Sequence, residues 1–505
     1  MDTKNKKISI EIESNSSYGD VIFFDTIFER LRLQESIDRH SEKRAGGFSV
    51  GKISRLIVDY YCINLRENKS KLEILDEYKY QSVLCSSLNL LPEELGDQDL
   101  YRCLEYLPEK VQQKVINDYV ALLATDYNLN MDTLFEDVTS TYFTGDNCPI
   151  AKNGYSRDHR PDLEQVNIEL AVTSEGYFPV KHSTYEGNIP DKKRGDQISG
   201  ELRRQYPYIK TTLVVDKGMS QESNRKAMIK NGFDYVACPE INLQIKDMVL
   251  SCEEIEFKPE NLEDKGLTVA KRKNELAGQP VCNYIYYNHK KAAKEARDRE
   301  KRINQAKKEV EKIQKSVNKG TLKKELTIKQ RVIKILKSHK VNLYYITKVE
   351  MKGKPSPTIV LEPKEDVFEE KKSLDGKFLL QTTHLDKSPK EVLKLYRSKD
   401  GVEKAFDIIK NLIKVRPIRH WNEDRVRGHI FLCILAYLVV SVAKYVIKKA
   451  NIEIGFKKIH RRLHQVRRVV VKVTVGKQTY RKESITDLDS LCRQLLSLVE
   501  ATLPP

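Results

Sequence analysis

Residues 133–143, TLFEDVTSTYF, decide how this chain is read. β-Branched and aromatic residues dominate the stretch, which predicts a strand. Asp137 sits in its middle, where a carboxyl cannot pack like a β-branched side chain and must be solvated or held by partners. Taken alone, it reads either as a solvent-facing strand residue or as a member of a site. Downstream, residues 165–174 (QVNIELAVTS) alternate apolar with polar, and residues 177–185 (YFPVKHSTY) come after a tight turn at Glu175-Gly176. Three consecutive strands in an antiparallel meander are therefore predicted. An amphipathic stretch from Lys192 to Tyr206 leads to the apolar strand Thr211 to Asp216 (TTLVVD), a helix from Gln221 to Asn231 and a short strand from Asp234 to Cys238.

The order β-β-β-α-β-α-β is that of an α/β, ribonuclease H-like (retroviral-integrase-like) core. Within it Asp216 ends a strand, at the carboxyl edge where α/β sheets present site residues, although a turn or helix N-cap role fits as well. Aspartates on neighbouring central strands would converge, and paired carboxylates suit hard divalent cations such as Mg2+. A third piece lies far downstream, residues 396–410, YRSKDGVEKAFDIIK. Read as one helix, it places Tyr396, Lys399, Glu403 and Lys410 within about 60° of arc, beside an apolar stripe of Val402, Phe406, Ile409 and Ile413. An ordinary amphipathic helix with a Lys399 to Glu403 ion pair would look the same.

The chain has 505 residues, enough for several domains, with 40% hydrophobic and 32% charged residues and a mean hydropathy of −0.55. These values exclude both a disordered chain and a multispanning membrane protein. The formal charge is +17, and it is concentrated. Residues 290–337 hold 18 Lys/Arg against 6 Asp/Glu, residues 444–482 hold 13 against 1, and the rest of the chain is net acidic. Two such blocks point to a polyanionic partner such as nucleic acid, although the first also reads as a solvated helix or short coiled coil. The nine cysteines are scattered and never spaced C-x-x-C, so neither a disulfide framework nor a zinc site is expected, and a reducing cytoplasm fits. No secretory signal is read at the N-terminus. The apolar run from Ile430 to Ala443 is short for a membrane span and is expected as a buried helix. The first 130 residues read as helical, with candidates at 19–33, 50–65, 71–80 and 99–123.

Taken together, these motifs resemble the DDE transposases of bacterial insertion sequences, in the branch with a Y-x2-R-x3-E-x6-K signature and an insertion in the ribonuclease H-like core. Tyr396, Lys399, Glu403 and Lys410 match that spacing, with Lys399 where Arg is usual. FEDVTSTYF around Asp137, GYSRDHRPDLEQV from Gly154, GNIPDK from Gly187, VVDKGMSQESN from Val214 and RPIRHWNEDRVRGHIFLCILA from Arg416 also look like motifs of this group. The resemblance covers about residues 95 to 445.

The resemblance implies an N-terminal helical domain for DNA binding or dimerisation over 1–130 and the first part of the core over 131–240. An insertion domain with a basic helical segment would occupy 241–384, the second part of the core with Glu403 would span 385–450, and a basic C-terminal region 451–505. It further implies that Asp137, Asp216 and Glu403 are catalytic and hold two Mg2+ ions, with Mn2+ as a substitute. The implied activity is cleavage of DNA at terminal inverted repeats and strand transfer of the 3′-OH ends into target DNA, by a homodimer in the synaptic complex. Tyr396, Lys399, Lys410, Arg160 and His159 are implied DNA contacts, with no membrane partner and a bacterial, nucleoid-associated location. Two other readings stay open, a catalytically silent DNA-binding regulator and a metal-dependent nuclease with the same core. Trp421, the sole tryptophan, lies outside the insertion, where Tyr284, Tyr286 and Tyr287 read either as base-stacking or as core residues.

Overall fold

In the computed structural model, the stretch TLFEDVTSTY is strand β2, Thr133–Tyr142. The structure describes residues 8–501 apart from 43–46, 66–72, 77–82, 85–87, 89, 91, 146, 191–193, 260–265 and 351–355. The chain divides into two units, Met1–Tyr235 with Tyr396–Pro505, and Val236–Leu395.

The first unit begins with strand β1 (Ile8–Ser17) and helices α1 (Gly19–Arg30), α2 (Leu33–His40), α3 (Val50–Ile63), α4 (Asp97–Glu105) and α5 (Glu109–Asp126). The helix expected at 71–80 lies mostly outside the described residues. Strands β2, β3 (Gln165–Thr173) and β4 (Pro179–Glu186) form the antiparallel meander. Helix α6 (Gly195–Gln205), strand β5 (Thr212–Val215), helix α7 (Glu222–Lys230) and strand β6 (Asp234–Ala237) come next, in the predicted order. Strand β5 runs parallel to β2, with Glu136 opposite Val215, so the sheet is mixed and Asp137 and Asp216 are the next residues along two adjacent strands. β3 is buried along its whole length, as a strand covered on both faces must be. Helix α5 docks on one face, where Tyr119 donates to the carbonyl of Pro179 at 2.8 Å. Helices α6 and α7 are joined by Asn231 to Ser199 at 3.0 Å.

The second unit takes in all of 241–384. It holds the last two residues of β6, helix α8 (Leu243–Leu250), the hairpin β7 (Leu267–Leu276) and β8 (Gln279–Asn288), and the long helices α9 (His289–Asn318) and α10 (Glu325–Ser338). Strands β9 (Tyr345–Glu350) and β10 (Thr358–Pro363), helix α11 (Glu365–Leu374) and strand β11 (Lys377–Thr382) complete it, with most of helix α12 (Pro389–Ser398). The first basic block is therefore a helical pair with an apolar seam, Ile303, Ala306 and Val310 against Ile328, Val332 and Leu336. Tyr284 and Tyr286 are fully buried, and their hydroxyls donate to the carbonyls of Lys387 and Pro389, both at 2.6 Å. They are core residues, and no face of either ring is left to meet a base.

The first unit resumes with helix α13 (Asp400–Asp407), a π-turn at Ile408–Leu412, helix α14 (Glu423–Lys449), helix α15 (Phe456–His464), strands β12 (Arg467–Val475) and β13 (Gln478–Ile485), and helix α16 (Ser490–Leu498). Helix α14 starts where the Asn422 side chain accepts from the backbone N–H groups of Asp424 and Arg425, and acidic and basic residues suit its two ends. It contains the apolar run and is long and apolar enough to cross a membrane, yet 83% of its apolar window is buried inside the protein. His182 on β4 stacks on its Phe431, with ring centres 5.9 Å apart. Strand β1 pairs with β12, which in turn pairs with β13.

Candidate active site

The single helix predicted across 396–410 is broken in two places. Helix α12 ends at Ser398, Lys399 takes the N-cap position of α13, and the π-turn begins after Asp407. Gly401 explains the close seating of α13. A Cβ there would lie 1.9 Å from the ring of Tyr177, so only glycine lets the helix reach the turn between β3 and β4. Lys410 lies inside this wider turn, where the regular helical spacing from Glu403 no longer holds.

Lys399 is the hub of the site. Its ammonium lies 3.3 Å from Asp216 Oδ1 and 3.1 Å from Glu403 Oε1. The lysine side chain is only 7% exposed, whereas those of Asp216 and Glu403 are 43% and 59% exposed. Asp137 is half-buried and accepts from the backbone N–H of Val138 at 2.8 Å. Burial pushes its carboxyl up to about 6, Asp216 adds to the rise, and the Lys399 charge opposes it. Burial acts to lower the Lys399 ammonium, but Asp216, Asp137 and Glu403 outweigh it and hold it above the ordinary lysine value.

Lys410 is placed apart from this group. Its buried ammonium donates to the carbonyl of Ser140 at 2.6 Å and to Asp158 Oδ1 at 3.0 Å, and Arg416 reaches the same Asp158 oxygen at 2.7 Å. Burial pulls Lys410 below the ordinary lysine value despite Asp158. Arg160 is exposed and pairs with Asp162 at 2.7 Å, His159 is exposed with φ 57°, and Tyr142 has the guanidinium groups of Arg160 and Arg416 each 5.6 Å from its ring centre. Tyr396 lies in the last turn of α12.

Asp158 and Glu136 escaped the sequence reading. Glu136 is wholly buried, and strand alternation points it to the face opposite Asp137. There Lys181 contacts Glu169 directly and lies 3.2 Å from Glu201, while Arg194 lies 3.2 Å from Glu169. Burial pushes Glu136 up to about 8, with Lys181 opposing and Glu169 adding to the rise. A second acidic residue beside Asp137 in a buried strand was the available signal.

Among the described residues no group of three or more His, Cys, Asp or Glu stands close enough to hold a metal ion. Asp216 and Glu403 are paired with one ammonium, whose charge also acts on Asp137.

The profile of the transposase DDE domain matches residues 137–439, more than half of the chain, with Asp137 as its first residue. The protein belongs to the transposase DDE domain family. No curated protein matches it. Among solved structures, it is similar to a chain of the cryo-EM structure of a piggyBac transposase synaptic complex with hairpin DNA, at 10% identity and a TM-score of 0.41, covering 88% of this chain and 80% of that one.

Proposed function

We propose that this protein is an insertion-sequence transposase of the Y-x2-R-x3-E-x6-K branch. It cuts DNA at terminal inverted repeats and joins the resulting 3′-OH ends to target DNA by metal-dependent hydrolysis and transesterification. The observation that carries this reading is the pairing of Asp216, at the end of β5, and Glu403, on α13, with the single ammonium of Lys399, whose charge also acts on Asp137 of β2. Three carboxylates and no soft ligand form a donor set that suits Mg2+, with Mn2+ as a substitute. When bound, two such ions activate the attacking oxygen and stabilise the leaving one.

The chain's own residues do the remaining work. Asp137 and Asp216 are fixed by adjacent parallel strands, so their spacing is set by the sheet. Glu403 is the adjustable member, on a helix seated by Gly401. Lys410 ties the π-turn to the backbone of β2 at Ser140, which fixes α13 against the sheet. Arg160, His159 and Tyr396 contact DNA, where Arg160 exchanges Asp162 for phosphate. Two copies acting on two DNA ends form the working dimer.

The test is Mg2+-dependent cleavage and joining of DNA carrying the flanking terminal repeats, comparing wild type with Glu403→Ala. Cutting and joining lost in the variant while DNA binding persists supports the transposase. Cutting without joining by the wild type identifies a nuclease, and binding alone identifies a regulator.

A further inference from the structure

We propose that Lys399 is a tethered counter-ion, occupying the cation position between Asp216 and Glu403 until a divalent ion displaces it. The inference rests on the reading of Asp137, Asp216 and Glu403 as metal ligands.

Burial supplies the first reason. In a surface ion pair a lysine reaches outward and its head stays wet. Here the order is inverted, with the ammonium buried on the Asp137 side and the two carboxylates it holds open to solvent. A cation set beneath exposed anions organises a site, whereas a surface pair of this length contributes little.

Distance supplies the second. The ammonium contacts, 3.1 and 3.3 Å, are hydrogen-bond lengths. Mg2+ binds oxygen at about 2.0–2.1 Å, so an ion in the ammonium's place would draw Glu403, the adjustable member, inward. The Glu403 side chain, exposed on a helix whose backbone is held, has the rotamer freedom to make that movement.

Charge supplies the third. An ammonium and a divalent cation that share the same carboxylate oxygens repel each other at close range. Entry of the ion therefore expels the Lys399 head. The chemistry of lysine suits the exchange, because its compact point charge sits on a flexible stem with three rotatable donors.

The test is Mn2+ binding to the metal-free full-length protein, monitored by electron paramagnetic resonance, for wild type, Lys399→Met, Asp216→Asn and the double variant. The expected result is that Lys399→Met binds Mn2+ about tenfold more tightly than wild type, while Asp216→Asn weakens binding in both backgrounds. Equal or weaker binding by Lys399→Met, with Asp216→Asn still harmful, overturns the counter-ion and leaves the metal-ligand reading intact. Binding indifferent to Asp216→Asn in both backgrounds overturns that reading as well. A measurement on the unaltered chain guards against a variant that misfolds. Reductive methylation of Lys399, read by mass spectrometry, should rise when Mn2+ is added. Unchanged or reduced methylation overturns the exchange.

Discussion

Glu136 and Asp137 are neighbours on one strand, and the sheet sends them to opposite faces with opposite fates. On the Glu136 face, Glu169 and Glu201 pair with two cations, Lys181 and Arg194, and Glu136 lies wholly buried with neither carboxyl oxygen hydrogen-bonded. On the Asp137 face, Asp216 and Glu403 pair with one lysine and are open to solvent, and half-buried Asp137 feels the charge of the same lysine. The first group is the more deeply buried and the more nearly balanced in charge. The second is short of positive charge and accessible, so it can take up cations. Acidity alone separates nothing here; access and the count of counter-charges do.

Exchanging the roles of the two faces is the strongest way to break this comparison. Asp137→Asn should reduce cleavage and joining by on the order of a thousandfold or more, while Glu136→Gln leaves them within a few-fold of wild type. Comparable losses in both variants, in a strand-transfer assay, would erase the distinction between the faces.

Next in size is the removal of a sealed cation. Lys181→Met leaves Glu169 buried with an incomplete set of partners and should cost about 3–5 kcal/mol in urea unfolding. Lys399→Met, at the open face, should cost the metal-free protein much less, because water reaches the carboxylates it leaves behind.

Gly401→Ala probes how the open face is held. The added methyl must push aside the Tyr177 ring, and overpacking of this kind costs about 1–3 kcal/mol. Activity should fall further than stability alone accounts for, because α13 carries Glu403. A variant with wild-type turnover would detach Gly401 from the site.

The smallest effect concerns pH. Glu136 is pushed up to about 8, so between its ordinary value near 4.5 and that point the folded state holds a proton that the unfolded state has released. Its contribution to stability is fully present below about 4.5 and is lost as pH rises through about 8. In Glu136→Gln this decline should flatten, and thermal melts at about pH 5 and about pH 9, on either side of that window, should differ less than in the wild type. An unchanged difference would mean that Glu136 is ionised and paired in the folded protein.

Much of the sheet was legible because its residues obey local rules. Alternation in 165–174 and the turn at Glu175-Gly176 mark the meander, and TTLVVD ends a strand where Asp216 emerges. Asp137 drew attention as a polar residue in a strand of β-branched and aromatic neighbours, and the Lys399 to Glu403 spacing is four residues of ordinary helix. Glu136 was missed because its partners come from β3, β4 and α6, and no periodicity links residues 136, 169, 181, 194 and 201. The break after Ser398 and the π-turn were missed because helical periodicity does not register the tertiary contacts made there, the Tyr177 ring beside Gly401 and the Asp158 carboxylate on Lys410. Strand β1 carries IEIESN, which reads as a charged terminus until β12 is beside it.

That last pairing bears on how the protein is made. Arg467 binds the carbonyl of Asn15 across 452 residues, Tyr61 meets His429 at 3.2 Å, and Gly428 packs against the backbone of Leu104. At about 5–20 residues per second, a ribosome needs roughly 20–90 s to supply partners that far along the chain. Over that interval the contacts that Arg467, His429 and Gly428 make with the first helices and β1 are not yet available. A polypeptide that ends before α13 lacks Glu403 and every element from α13 onward, including the β12 partner of β1.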